Sequence, residues 1–97
     1  MNIQHTEKDN QGSFFIEKDG KQLAEMVYNL NEPGQLVIEH TEVDDELRGQ
    51  NIGYELVVAG ANYAREKQLK VVPVCRFARA LFHKKKEEFA DVAAAEY

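Results

Sequence analysis

Residues 35–67, QLVIEHTEVDDELRGQNIGYELVVAGANYAREK, contain the change of pattern that decides the fold. Residues 35–43 are rich in β-branched and apolar side chains, which predicts a strand. From Ile52 onward the apolar residues recur at intervals of three and four, which predicts an amphipathic helix over about residues 51–67. An acidic loop that ends in Arg-Gly separates the two. The stretch therefore indicates a strand, a loop and a helix in direct succession.

The chain before residue 35 predicts an antiparallel meander. The Asp-Gly pair at residues 19–20 is typical of a two-residue hairpin turn. A second turn at residues 31–34 contains Pro, which presets φ, and Gly, which permits positive φ. The strands predicted on either side of these turns are residues 13–18, residues 21–30 and, as a short edge strand, residues 2–7. On the second of them we expect Ala24, Met26, Tyr28 and Leu30 to line the core side.

The chain after the helix predicts one more strand and one more helix. Residues 70–74, KVVPV, indicate a short buried strand, and the preceding crossover helix implies parallel pairing. Residues 76–86 indicate a second helix, and residues 87–97 a tail. The inward-facing side chains expected here are Phe77, Ala80 and Leu81 on the helix and Phe89 and Val92 in the tail. The predicted fold is α/β, a mixed sheet built as a meander followed by β-α-β-α, with two helices and a right-handed crossover.

The composition excludes several classes of protein. Its 97 residues, 43% hydrophobic and 30% charged, fit one globular domain over residues 1–97. A net charge of −5 argues against a nonspecific nucleic-acid binder. No run approaches the roughly 18 apolar residues of a spanning helix, and residues 1–10 lack the apolar core of a signal peptide. The one cysteine, Cys75, rules out an internal disulfide and favours a reducing compartment. We therefore expect a cytoplasmic protein that binds neither nucleic acid nor membranes.

The loop before the first helix is a candidate anion site. In Arg48-Gly49-Gln50-Asn51-Ile52-Gly53, free backbone N–H groups and the positive end of the helix favour an anion, and glycine permits its close approach. The loop lacks the Gly-Lys-Ser/Thr ending of a Walker loop and the glycine spacing of a Rossmann loop. An ordinary glycine-containing turn between a strand and a helix remains the alternative interpretation.

Residues 36–89 resemble the small, stand-alone branch of the general-control-related N-acetyltransferase (GNAT) superfamily. The resemblance rests on the loop, on the Asp-Gly hairpin before it, on His40 eight residues upstream of Arg48, and on Lys-Val-Val-Pro-Val-Cys after the helix. The family signature, Arg/Gln-x-x-Gly-x-Gly/Ala, wraps the pyrophosphate of acetyl-coenzyme A, so the resemblance implies this cofactor. Asn51 stands where the family has its first glycine. The cofactor-binding residues implied are Val43, Arg48, Gly49, Gln50, Asn51, Ile52 and Gly53.

Cys75 is a candidate catalytic residue because it follows a predicted parallel strand, at the end where α/β sheets bind ligands. It also precedes a helix, whose positive end together with Arg76 favours the thiolate. A thiolate there can accept an acyl group and pass it to an amine. Free cysteines, however, mostly act as small buried hydrophobes. The resemblance, in which a cysteine at this place is a candidate nucleophile, leaves both interpretations open.

His40 is the second candidate catalytic residue. Histidine exchanges protons readily near neutral pH, and the strand of His40 should lie beside the strand of Cys75. Regular alternation would send Ile38, His40 and Glu42 to one face of the strand and Glu39 to the other. His40 could then deprotonate an amine or Cys75. A half-exposed strand histidine without a role is the alternative.

These observations predict an acetyl-coenzyme A-dependent N-acetyltransferase that acts on an unidentified amine. Direct attack by the amine needs positioning and a base, whereas a two-step route needs Cys75 as acyl carrier. The alternatives are a coenzyme A-binding or protein-interaction module without turnover, or an acyl or redox sensor that reports through Cys75. No pair of residues has metal-ligand spacing on a helix, so we predict no metal. The oligomeric state is open.

Overall fold

The computed structural model describes residues 2–95, which form five strands and three helices. The strands are β1 (Gln4–Lys8), β2 (Gln11–Lys18), β3 (Lys21–Asn29), β4 (Gln35–Val43) and β5 (Lys70–Pro73). The helices are α1 (Ile52–Lys67), α2 (Arg76–Lys84) and α3 (Lys86–Phe89), and a 3₁₀ turn covers Asp45–Leu47. The predicted order is confirmed, with α3 added in what was expected to be a tail.

The strands form one mixed sheet in the order β1-β2-β3-β4-β5. The first three pairs are antiparallel and β4–β5 is parallel, because α1 crosses over between them. The hairpin turns have positive φ at both central residues, 53° and 78° at Asp19 and Gly20 and 53° and 66° at Asp9 and Asn10. That backbone matches the right-handed twist of the flanking strands. The expected edge strand at the N-terminus is therefore present and joined by a tight turn.

The core lies where α1 covers the sheet. Gly60 of α1 permits this close approach, since a Cβ there would lie 2.5 Å from the Cε atom of the buried Met26. The expected core face of β3 is confirmed for Ala24, Met26 and Tyr28, while Leu30 is half-buried. The largest fully buried side chains include Tyr28, Phe82, Phe89, Met26, Leu36, Ile38, Leu56 and Val71.

A hydrogen-bonded side-chain cluster attaches β1 to β3 and α1. The hydroxyls of Tyr28 and Tyr63 each donate to Glu7 Oε1 at 2.7 Å. His5 Nε2 lies 2.6 Å from the Tyr28 oxygen and must donate to it, because the Tyr28 proton is directed at Glu7. The His5 ring also stacks on Phe14, with centroids 4.1 Å apart.

These contacts shift the protonation of all three groups. Burial lowers the pKa of His5, and the two tyrosine hydroxyls lower the pKa of Glu7. Burial, followed by the contact with Glu7, raises the pKa of Tyr28. The cluster therefore prefers neutral His5 and ionised Glu7.

The segment after α2, residues 85–95, packs on the core and extends the sheet at its β5 edge. The ring of Phe89 stacks on Phe82 with centroids 4.4 Å apart and an interplanar angle of 2°. Val71 of β5 donates its N–H to Val92 O at 2.7 Å and accepts from Ala94 N at 2.9 Å, so this segment continues the sheet beyond β5. The expected docking of Phe89 and Val92 is confirmed, and the last two residues of the predicted tail lie outside the described residues.

The helical phase predicted for α2 is wrong for Phe77 and Ala80. The buried residues of α2 are Ala78 and Phe82, whereas Phe77 is 43% exposed and Ala80 is exposed. Leu81, the third residue expected to face inward, is half-buried and packs against the core. The helix docks through the stripe formed by positions 78 and 82, one turn apart, which leaves Phe77 to the side. No helix within residues 2–95 is long and apolar enough to span a bilayer.

Candidate functional site

The parallel strands β4 and β5 separate halfway along β4. Their pairing ends at Ile38 and Pro73, although β4 continues to Val43. Pro73 has no N–H to extend the ladder, and the next two amides, of Val74 and Cys75, both donate to Ile38 O at 3.1 and 3.0 Å. The second half of β4 therefore faces a gap.

A β-bulge rotates this second half of β4. Tyr28 of β3 faces Ile38 and Val27 faces His40, so Glu39 is the extra residue. Beyond the bulge Asp44 donates its N–H to Leu23 O on β3. Since backbone groups alternate along a strand, the N–H and C=O groups of residues 41 and 43 point away from β3 and into the gap.

The expectation that Ile38 and His40 share a face is wrong because of this bulge. Ile38 pairs with buried Tyr28 and lies on the core face, whereas His40 pairs with Val27 on the opposite face. Thr41 follows on the core face, where its Oγ1 lies 3.5 Å from Cys75 Sγ. The structure therefore brings Cys75 to Thr41 and directs His40 to the other side of β4.

His40 is accessible on this second face. Its side chain is 50% exposed, and Nε2 lies 3.5 Å from Glu42 Oε1, which shares the face. Glu39 points elsewhere, since it accepts a hydrogen bond from Asn29 Nδ2 at 2.6 Å. Glu42 is thus the carboxylate that the structure places next to His40.

The loop after β4 leads to a helix start that has no side-chain cap, and it shares a pocket with Val43 at the end of β4. The Asp44 side chain accepts from Glu46 N at 2.9 Å and starts the 3₁₀ turn. Gly49, at φ 83°, and Asn51, at φ 62°, then turn the chain sharply into α1. No side chain caps the start of α1, so the amides of its first turn remain available to a ligand.

A pocket of about 510 Å³ opens at this helix start. It is lined by Val43, Leu47, Arg48, Gly49, Asn51, Ile52, Gly53, Tyr54 and Phe77. Of the seven residues expected to bind the cofactor, Gln50 is the one that does not line it. An elongated anion such as a pyrophosphate fits this place, since the amides are uncapped and the space that a Cβ on Gly49 would occupy is open.

Two aromatic residues of the pocket were not assigned there from the sequence. The Phe77 ring lies against the first turn of α1, where a Cβ on Gly53 would come within 2.6 Å of its Cζ atom. Tyr54 lies on the same turn, and its hydroxyl donates to Glu88 Oε2 at 2.5 Å, which raises the pKa of Tyr54. The sequence could have assigned Phe77 to the pocket only if it had shown that this side chain lies off the buried side of α2.

Positive charge is scarce inside the loop. Arg48 Nε lies 2.7 Å from Asp45 Oδ1, and the side chains of both residues are largely exposed. Asp44 and Glu46 add further negative charge beside the same loop. The backbone amides, rather than Arg48, are the loop's main means of attracting an anion.

Comparison with known proteins identifies relatives by family and by fold. A model of the GCN5-related N-acetyltransferase family matches residues 13–92. The solution structure of a GCN5-like protein from Staphylococcus aureus is 30% identical, with a TM-score of 0.73 over 99% of this chain and 92% of the other. No curated protein gives a significant match.

Two ribosomal-protein-alanine N-acetyltransferases share the fold at lower identity. The enzyme from Brucella melitensis is 21% identical, with a TM-score of 0.68 over 93% of this chain and 67% of that enzyme. The enzyme from Escherichia coli is 14% identical, with a TM-score of 0.65 over 80% of this chain, which spans about half (53%) of that enzyme.

Proposed function

The chain belongs to the GCN5-related N-acetyltransferase family, and from that premise we propose that it transfers the acetyl group of acetyl-coenzyme A to a primary amine through the gap between β4 and β5. The observation that carries the proposal is the position of this gap beside the uncapped start of α1. One place thus offers a strand edge for an extended amide-containing ligand and a cluster of N–H groups for its phosphates.

The donor would bind along the core side of the gap. The backbone amides of Ile52 and Gly53 would hold the pyrophosphate, and Gly49 would leave room for it. Arg48 would add positive charge if its side chain moved from Asp45 to a phosphate oxygen. The backbone groups of residues 41 and 43 would pair with the amides of the pantetheine arm. These assignments rest on the residues that line the pocket and the strand edge.

The acceptor would approach from the opposite face, where His40 is exposed. In the transfer, the amine nitrogen attacks the thioester carbon, an amide bond forms as the carbon–sulfur bond breaks, and the nitrogen loses a proton as the thiolate leaves. His40 is suited to accept that proton, and Glu42 at 3.5 Å would stabilise the imidazolium that results. Donor and acceptor then use different faces of β4.

Cys75 lies on the donor side and has two possible roles. As a thiol 3.5 Å from Thr41, it could return a proton to the departing thiolate. As a thiolate it could itself attack the thioester, carry the acetyl group and release it to the amine. Its position on the face of β4 opposite His40 favours the first role, since the side chain that contacts the sulfur atom there is Thr41, which is not a base.

Intact-mass spectrometry with acetyl-coenzyme A tests the function and separates the two roles. Direct transfer predicts that added spermidine or a lysine peptide becomes acetylated while the protein mass stays constant. An acetyl adduct that is lost in Cys75→Ala and is released by amine would identify the two-step route instead. If calorimetry detects no coenzyme A binding and none of a broad set of amines is acetylated, the proposed function is wrong.

A further inference from the structure

The basic residues of this acidic chain are concentrated beside the pocket. Residues 76–86, RFARALFHKKK, contain five of the twelve Lys and Arg residues and no Asp or Glu, in a chain whose net charge is −5. None of the five makes an ion pair with a carboxylate anywhere between residues 2 and 95. The five are Arg76, Arg79, Lys84, Lys85 and Lys86. The positive charge here is therefore not neutralised by the fold.

One lysine of this segment contacts a residue that lines the pocket. The Lys85 ammonium lies 5.0 Å from the ring centroid of Tyr54, which itself lines the pocket at the start of α1. Lys84, Lys85 and Lys86 also border a second depression of about 460 Å³ at the junction of α2 and α3. Tyr54 thus forms the boundary between the uncapped amides of α1 and the three lysines.

The acidic side chains at this junction do not neutralise the positive charge of the cluster formed by Lys84, Lys85 and Lys86. Glu87 and Glu88 border the same depression, so lysines outnumber carboxylates there. Glu88 is engaged by the Tyr54 hydroxyl at 2.5 Å. The lysines therefore remain the groups available to an added anion.

We propose that Lys84, Lys85 and Lys86 form a subsite for the 3′-phosphate of coenzyme A. The inference rests on the proposed function, because it assumes that the pyrophosphate binds at the start of α1. The ribose that carries the 3′-phosphate is attached directly to that pyrophosphate, so a second phosphate must lie close by. The loop around Arg48 has no charge to spare for it, since Arg48 is the loop's one basic residue and is assigned to the pyrophosphate, and Asp44, Asp45 and Glu46 beside it are acidic. The lysine cluster supplies the missing charge, and the protein distinguishes coenzyme A from donors that lack the 3′-phosphate.

Titration calorimetry with coenzyme A and with dephospho-coenzyme A tests this subsite. We expect the unaltered protein to bind coenzyme A about tenfold more tightly, the effect of one charge-assisted contact near the surface. Lys85→Gln should reduce that ratio to about threefold or less without weakening the binding of dephospho-coenzyme A, and Lys85→Arg should restore it. The double variant Lys84→Gln/Lys86→Gln, which changes exposed side chains, should also reduce the ratio.

Lys67→Gln is the matched control, because Lys67 lies over the Tyr63 ring at 5.8 Å near the other end of α1. It should leave the ratio unchanged. Equal binding of the two ligands by the unaltered protein, or the same loss of ratio in Lys67→Gln, would overturn the subsite while leaving the proposed function intact. If neither ligand binds, the subsite and the proposed cofactor fail together.

Discussion

Asn51 shows how a single backbone angle is linked to ligand binding. Its φ of 62° is in the left-handed region, which asparagine tolerates better than most residues and glycine adopts without strain. Its side chain is exposed, caps nothing and lines the pocket. The family signature has glycine here, so Asn51 keeps the turn and adds a side chain where the phosphates are expected.

Asn51→Gly should therefore tighten coenzyme A binding by about two- to fivefold, because it removes a side chain from the pocket without changing the turn. The free energy of unfolding should change by less than about 1 kcal/mol, since relief of the positive φ is offset by the greater freedom of the unfolded chain. Calorimetry and urea unfolding measure the two quantities. An unchanged affinity would show that the Asn51 side chain does not crowd the ligand.

His40 permits a second prediction at the same scale. His40→Ala should lower kcat about a hundredfold, the usual contribution of a general base, with little effect on the dissociation constant of coenzyme A, because His40 lies on the face of β4 opposite the pocket. Added imidazole should restore part of the rate. Steady-state kinetics with calorimetry give both values, and a normal kcat would remove His40 from the mechanism.

At the scale of elements, the sequence predicts most boundaries but not the orientation of every side chain. The strand of residues 35–43 was predicted to the residue, since turn residues bound it on the N-terminal side and the apolar period changes on the other. The bulge at Glu39 has no local signal in the sequence, and one extra residue is enough to reverse the faces of Ile38 and His40. The strand and the pocket loop could thus be predicted from the sequence, whereas the contact of Cys75 with Thr41 rather than with His40 could not.

The attachment of β1 predicts how stability depends on pH. The folded pKa of His5 is below its ordinary value of 6.5, so the unfolded chain takes up the proton first and stability falls as the pH drops below that value. The folded pKa of Glu7 is below 4.5, so its contribution is present above pH 4.5 and is lost in stronger acid. Acid should therefore weaken the protein in two stages.

His5→Gln separates the stages, because a glutamine amide can still donate to Tyr28 but does not titrate. Urea unfolding at several pH values should show that the variant loses less stability between pH 7 and 5.5, by a fraction of a kcal/mol for a group so near solvent. Below pH 4.5 both proteins should decline alike. An equal loss in the upper range would show that His5 does not control it.

At the scale of the whole molecule, the segment after α2 completes the core that α1 and the sheet begin. Phe89, 1% exposed, stacks on Phe82, and Arg65 of α1 donates to Asp91 Oδ2 at 2.8 Å. Only the docking of Phe89 and Val92 could be expected from the sequence, because their apolar character is local. The parallel bridge between Val71 and Ala93 depends on where α2 and α3 deliver the chain.

Phe89→Ala should lower the free energy of unfolding by about 3–4 kcal/mol, the cost of a large cavity in a well-packed core. Phe77→Ala is the matched control and should cost less than about 1 kcal/mol, because Phe77 is 43% exposed. Chemical unfolding of the two variants measures the difference. Equal costs would mean that the last segment does not belong to the cooperative core.

The gap between β4 and β5 leaves backbone groups unpaired, which raises the question of how this protein avoids aggregation. Unpaired backbone groups at the border of a sheet recruit strands from other molecules. Here one border is β1, five residues long and carrying Glu7 and Lys8, and residues 92–94 cover part of the other. The unpaired positions of β4 lie past the end of β5 and are limited to a few residues, with Cys75 at the start of α2 beside Thr41. The fold can therefore keep hydrogen-bonding backbone groups free for a ligand while leaving only a short stretch of β4 on which a strand of another molecule could pair.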